Sequence, residues 1–159
     1  MIEKMELTYL GNKNILNLHK TGFFCSRIVS GSAVMNCYDW ATEVDIENNV
    51  IVSGFQSKIE KDILRFLEKR RARIILVLAR SIYKQVPQEF QRFLEDDRLL
   101  VVSTSQSATR TAKAVAEHRN EYIAQICDEL VFGYIGEGSN LQMIYQNYIE
   151  KSNLLSSNK

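Results

Sequence analysis

The sequence is short of three things, and each shortage removes a class of protein. It has only three cysteines, Cys25, Cys37 and Cys127, odd in number and without the paired spacing of metal ligands. That argues against a disulfide framework or a zinc site and for reduced core thiols, with no metal. It has no apolar run of about 18 residues, and Met1 to Leu7 is charged and lacks a continuous apolar stretch. Neither a membrane span nor a signal peptide is expected, so the expectation is a cytoplasmic protein with no membrane partner. It also lacks a net charge of either sign: 20 Lys and Arg against 19 Asp and Glu leave +1 in 159 residues. Bulk charge therefore argues neither for nor against nucleic acid, and only local clustering can decide.

What the chain does have is 45% hydrophobic and 25% charged residues, the composition of a globular domain, in a length that makes one domain with a sizeable core. Apolar runs of strand length alternate with amphipathic segments at the spacing of βα units. The expected strands are Gly22 to Ser26, Val50 to Gly54, Arg73 to Ala79, Leu99 to Thr104 and Glu129 to Ile135. Three of them are nearly continuous apolar runs, as parallel strands covered on both faces should be. Ile59, Ile63, Phe66 and Leu67, then Phe90, Phe93 and Leu94, then Leu141, Ile144, Tyr145 and Tyr148 recur at helical spacing, and a helix is expected from about Ser32 to Val44. The fold class expected is α/β, a doubly wound, mainly parallel five-stranded sheet in three layers, Rossmann-like. Its span is 22–150, with an N-terminal extension over 1–21 and a polar, frayed tail over 151–159.

In such a sheet ligands bind beyond the carboxyl ends of the strands. The residues leaving those ends are chemically alike: Ser26 and Arg27, then Ser53, Gly54 and Lys58, then Arg80, then Ser103 to Ser107, then Gly136, Gly138, Ser139 and Asn140. Hydroxyls, free amides at a helix N-terminus and isolated cations suit a phosphate. The stretch from Asp128 to Ile144 concentrates this pattern as strand, two-glycine turn and helix start. Turn and capping chemistry is the competing account, under which Ser53, Ser57 and Ser107 are N-caps. The basic run Lys69-Arg70-Arg71-Ala72-Arg73 lies at the opposite rim and reads as a solvated helix C-terminus.

The strand-end motifs, in their order, resemble the Rossmann-like domain of the DNA-processing protein A family (DprA, also called Smf), within the superfamily that includes the Lonely Guy (LOG) phosphoribohydrolases. The resemblance runs from about Leu7 to Tyr145. It is carried by Tyr9-Leu10-Gly11-Asn12 with Leu16, Cys25-Ser26-Arg27, Ser53-Gly54-Phe55-Gln56-Ser57-Lys58-Ile59-Glu60, Val86-Pro87-Gln88-Glu89-Phe90, Arg119-Asn120-Glu121-Tyr122-Ile123-Ala124 and Gly138-Ser139-Asn140. Cys25 and Lys58 stand where the family pattern has glycine, and Ala79-Arg80 replaces a small, glycine-rich turn, which makes these loops bulkier and more cationic.

The resemblance adds Arg119 to the candidate ligand-binding residues. It implies single-stranded DNA or a nucleotide as partner, with a recombinase or a second copy of the chain as further partners, and the Rossmann domain alone without a winged helix. It implies no cofactor. LOG enzymes carry acids in the last motif, where this chain has Leu141 and Gln142, and neither can transfer a proton. Glu60 and Glu137 are the displaced acids to weigh against capping or solvated carboxylates, and His118 is the one histidine near the rim. A non-catalytic phosphate-binding protein is the favoured reading, with nucleotide sensing and, third, a LOG-like hydrolase as alternatives. Phe55, Tyr83 and Tyr134 are candidate stacking platforms, or core. If Ala108 to Ile126 were one helix, Arg119 would sit about 16 Å from its start, too deep to reach the rim. A break near Ala114 to Glu117 is therefore expected, and a continuous helix would favour Arg110 and Lys113 instead.

Overall fold

The computed structural model describes residues 7–27, 30–104 and 112–155. Side-chain alternation along the strands fixes the architecture. Ile51, Ile74, Leu76, Leu99 and Val101 point to one side of the sheet and Val50, Val52, Ile75, Val77, Leu100 and Val102 to the other, and all are buried. Strands that are apolar on both faces need helices on both, and each such side chain removed from water contributes about 1.5–3 kcal/mol.

The elements follow in the order β1 (Thr8–Gly11), a 3-10 turn (Lys13–Asn17), β2 (His19–Cys25), α1 (Gly31–Glu43), β3 (Asn49–Ser53), α2 (Lys58–Lys69), β4 (Arg73–Leu78), α3 (Gln88–Glu95), β5 (Leu99–Ser103), α4 (Ala112–Ile126), β6 (Glu129–Tyr134), α5 (Asn140–Asn147), a second 3-10 turn (Ile149–Lys151) and β7 (Ser152–Leu154). Helices α1, α2 and α3 cover one face and α4, α5 and the first 3-10 turn the other, giving three layers.

The sheet order is β1-β5-β4-β3-β2-β6-β7. From β2 the chain winds outward through β3, β4 and β5, all parallel, then crosses back so that β6 pairs with the other side of β2. Strand order therefore reverses between β2 and β6, and the carboxyl ends of these two strands define the switch point. A register shift between Phe24 and Cys25 places Cys25 opposite Tyr134 and leaves Gly133 as an extra residue on β6.

The five expected strands form the parallel centre, but the sheet has seven. β1 pairs antiparallel with β5, and β7 pairs parallel with β6. The divisions expected at residues 21/22 and 150/151 accordingly fall within β2 and the second 3-10 turn, and part of the expected polar tail is an edge strand. Neither edge strand carries an apolar run: β1 is half-exposed, and β7 is Ser-Asn-Leu. Each is held by ladder hydrogen bonds to a buried neighbour.

Helix α4 runs unbroken through 114–117, without the break expected near Ala114 to Glu117. Its first buried residues are Tyr122, Ile123 and Ala124, so the preceding turns overhang the strand ends. That overhang brings Arg119 level with the rim inside a continuous helix. Arg110 lies outside the described residues, and Lys113 is exposed. No helix among the described residues is long and apolar enough to cross a membrane.

Candidate phosphate site at the strand switch point

A cleft of about 360 Å³ opens at the carboxyl ends of β2 and β6. Ser26 and Arg27 line it from the loop after β2, Gln56, Ser57 and Glu60 from the start of α2, Arg119 and Asn120 from α4, and Gly136, Ser139, Asn140 and Leu141 from the turn into α5.

The turn into α5 is built by local hydrogen bonds. Gly138 has φ +72°, the left-handed conformation that glycine adopts without strain. Its N–H donates to Gln142 Oε1 at 2.8 Å, and Ser139 Oγ donates to the Gly136 carbonyl at 2.6 Å. The Gly136 N–H donates to Ser26 Oγ at 2.7 Å, which ties the two strand-end loops across the switch point. Ser139 is the N-cap of α5 by position but makes no side-chain cap bond. The Asn140 and Leu141 amides have no acceptor among the described residues, so two donors and the positive end of the helix dipole are directed to the cleft. Gln142 serves as a cap and Leu141 as an apolar wall of the cleft.

The start of α2 is a capping box. Ser57 Oγ accepts from the Glu60 N–H at 3.2 Å, and Glu60 Oε1 accepts from the Ser57 N–H at 3.2 Å and the Gln56 N–H at 2.8 Å. Glu60 Oε2 also accepts from the Cys25 N–H at 3.2 Å, so this carboxylate fastens the end of β2 to α2. Glu60 is only 8% exposed. Burial pushes its pKa up, against the backbone N–H donors and the positive Arg119 nearby.

Arg119 is the cleft's half-buried cation. Its guanidinium packs on Gly54, where an added Cβ would lie 2.7 Å from Nη1. Nε donates to Asn120 Oδ1 at 3.2 Å, Asn120 Nδ2 donates to Asn140 Oδ1 at 3.0 Å, and Nη1 and Nη2 have no partner among the described residues. Desolvation pulls the Arg119 pKa down from its ordinary value, partly opposed by Glu60, but a guanidinium stays charged at any working pH.

Of the eleven residues singled out in the sequence, Ser26, Arg27, Arg119, Gly136, Ser139 and Asn140 line this cleft, Gly54 floors Arg119, and Gly138 shapes the turn. Three lie elsewhere. Ser53 is fully buried, with Oγ accepting from the Phe55 N–H at 3.0 Å. Lys58 is on the far side of the α2 N-terminus, bonded to Asp62 at 3.2 Å. Arg80 folds back on its own turn, with Nε donating to the Ser81 carbonyl and its guanidinium 4.7 Å from the Tyr83 ring centre. Gln56, Glu60 and Asn120 join the cleft as well; all three stand inside the family-like motifs, and Glu60, weighed as a displaced acid or a cap, is the capping carboxylate. Ser57 is an N-cap, as the capping account had it, and Ser107 lies outside the described residues.

Phe55 is 2% exposed and belongs to the core, while Tyr83 and Tyr134 pack at its margin. Cys25, Cys37 and Cys127 are free and buried. Among the described residues no group of His, Cys, Asp and Glu is placed to hold a metal. A larger groove of about 780 Å³ between α2 and α3 lies away from the switch point and mixes charges of both signs, Lys61, Arg65, Lys69 and Arg92 with Glu68, Glu89 and Glu95.

These features define a doubly wound α/β domain with a cationic, amide-lined cleft at its switch point. The chain belongs to the DNA recombination-mediator protein A family, whose sequence pattern matches residues 3–139. Among solved structures it is similar to DNA processing protein A from Streptococcus pneumoniae, at 20% identity and TM-score 0.73, covering 93% of this chain and 53% of that one. It is also similar to DNA processing protein A from Helicobacter pylori, described for its single-stranded DNA binding mode, at 16% identity and TM-score 0.72, covering 93% and 70%. A molybdenum cofactor binding protein from Rippkaea orientalis shares the fold at 14% identity and TM-score 0.58, covering 86% and 76%. The chain thus spans about half the length of the pneumococcal protein. No curated protein matches the sequence.

Proposed function

We propose that the switch-point cleft binds backbone phosphates of single-stranded DNA, without catalysing a reaction on it. The observation that carries this reading is Arg119: a half-buried guanidinium, its two terminal nitrogens without a partner among the described residues, lining a cleft that Ser26 and the first residues of α5 also line. A guanidinium offers a planar fork to phosphate oxygens, and the amides add donors that need no reorganisation. Arg27, exposed at the entrance, adds charge that attracts a strand. Similarity to a protein described by its single-stranded DNA binding supports DNA over other phosphates. A role in DNA uptake, recombination or protection, with a recombinase or a second copy as partner, belongs to the same reading and rests on the family resemblance.

A cleft of about 360 Å³ also suits one nucleotide, so a free mononucleotide is the competing ligand. Salt separates the two. An oligothymidylate bound through several phosphates loses affinity steeply between low and moderate salt, with about 0.7 in the log–log slope per contact. Tight mononucleotide binding with no oligonucleotide affinity would overturn the DNA reading in favour of a nucleotide sensor.

A further inference from the structure

The N-terminal turn of α2 faces two depressions. Ser57 and Glu60 line the rim cleft, while Lys58 and Asp62 line a second depression of about 330 Å³ with Tyr38, Arg65, Phe66 and Lys69. Lys58, Asp62, Arg65 and Lys69 recur at helical spacing and form one stripe along α2, bordered by α1. Three cations there face one carboxylate. Asp62 has a side chain only 10% exposed and accepts from the Tyr38 hydroxyl at 2.6 Å; Lys58 and Arg65 approach it at 3.2 and 3.6 Å while remaining 82% and 80% exposed. Lys58 and Arg65 are thus steadied by Asp62 and still turned to water, and Lys69 adds a further exposed charge at the far end. Beside them the Tyr38 and Phe66 rings lie 5.3 Å apart at 43°, both partly accessible. Arg65 and Lys69 also border the groove between α2 and α3, where Glu68, Glu89 and Glu95 offset most of the positive charge.

We propose that this stripe continues the path of a single-stranded polynucleotide out of the rim cleft, with phosphates following Lys58, Arg65 and Lys69 along the groove between α1 and α2. It rests on reading the cleft as a single-stranded DNA phosphate site. The stripe starts one residue after Ser57, which lines the cleft, and extends about 16 Å at the helical rise. A cationic track with aromatic faces beside it is how sequence-tolerant single-strand binders are built.

The test uses the full chain with oligothymidylates of about 4 and about 16 nucleotides, the range of single-strand site sizes. Arg65→Gln with Lys69→Gln should lower affinity for the longer strand about tenfold and its salt slope by about 1.4, two contacts at about 0.7 each. Affinity for the shorter strand should not change, and Arg65→Lys with Lys69→Arg should retain both. Unchanged long-strand affinity and slope, with wild-type binding of both lengths intact, would overturn the stripe and leave the cleft reading standing. Failure of the wild type to bind either length would overturn the cleft reading and the stripe with it.

Discussion

Replacing Glu60 by alanine should unfasten the back of the cleft, and the cost can be worked from its hydrogen bonds. The carboxylate accepts from the amides of Gln56, Ser57 and Cys25. Gln56 is exposed and recovers its bond from water, but Ser57 and Cys25 are buried. An orphaned buried amide costs about 1–3 kcal/mol, and removing a carboxylate that burial disfavours returns part of that. The expected net loss is about 2–4 kcal/mol, read as a lower urea midpoint at unchanged slope. Glu60→Gln keeps one acceptor oxygen and should lose roughly half as much. Burial raises the Glu60 pKa above its ordinary 4.5, so between the two values the folded state binds more protons. Its contribution is fully present below 4.5 and is lost as pH rises through the raised native value. Wild type should therefore gain on Glu60→Gln as the solution is acidified. A loss under about 1 kcal/mol for Glu60→Ala would refute the fastening role, and an opposite pH trend would show that the amide bonds to the carboxylate outweigh its burial.

Gly54→Ala should weaken DNA binding at small cost in stability: the new Cβ would stand 2.7 Å from Nη1 and 2.9 Å from Cζ of Arg119, a side-chain end that can swing away. Anisotropy titration and urea unfolding of one preparation check both halves. Gly133→Ala should cost about 1–3 kcal/mol by overpacking, because its methyl would overlap Cys37 Sγ and press on Cys25 Sγ and Phe23. The cost should shrink in a Cys37→Ala background, which a double-mutant cycle measures.

The five central strands were legible because each is an apolar run that only a two-sided burial explains. β1 and β7 were not, because partners distant in sequence select them: Tyr9 lies opposite Val102 and Asn153 opposite Val131. The rim itself was legible, since every strand end carried small residues, hydroxyls or cations. Which side chains enter the cleft was not. Lys58 and Arg80 leave the same rim as Ser26 and Arg119, but a helix's first residue can face either flank and an arginine can fold onto its own turn. Arg119 entered by resemblance and was argued against by counting helical rise from Ala108. The count erred because it placed the helix start, rather than the first buried turn at Tyr122, level with the strand ends.

Arg119 also offers the most direct test of the cleft. Single-stranded DNA affinity of wild type and Arg119→Gln should be measured by anisotropy across a salt series. A charge-assisted hydrogen bond contributes about 1.5–3 kcal/mol, so affinity should fall about tenfold to a hundredfold, equally for different sequences, and the salt slope by about 0.7. An Arg119→Gln protein that binds with wild-type affinity and wild-type slope would contradict a phosphate site at the switch point.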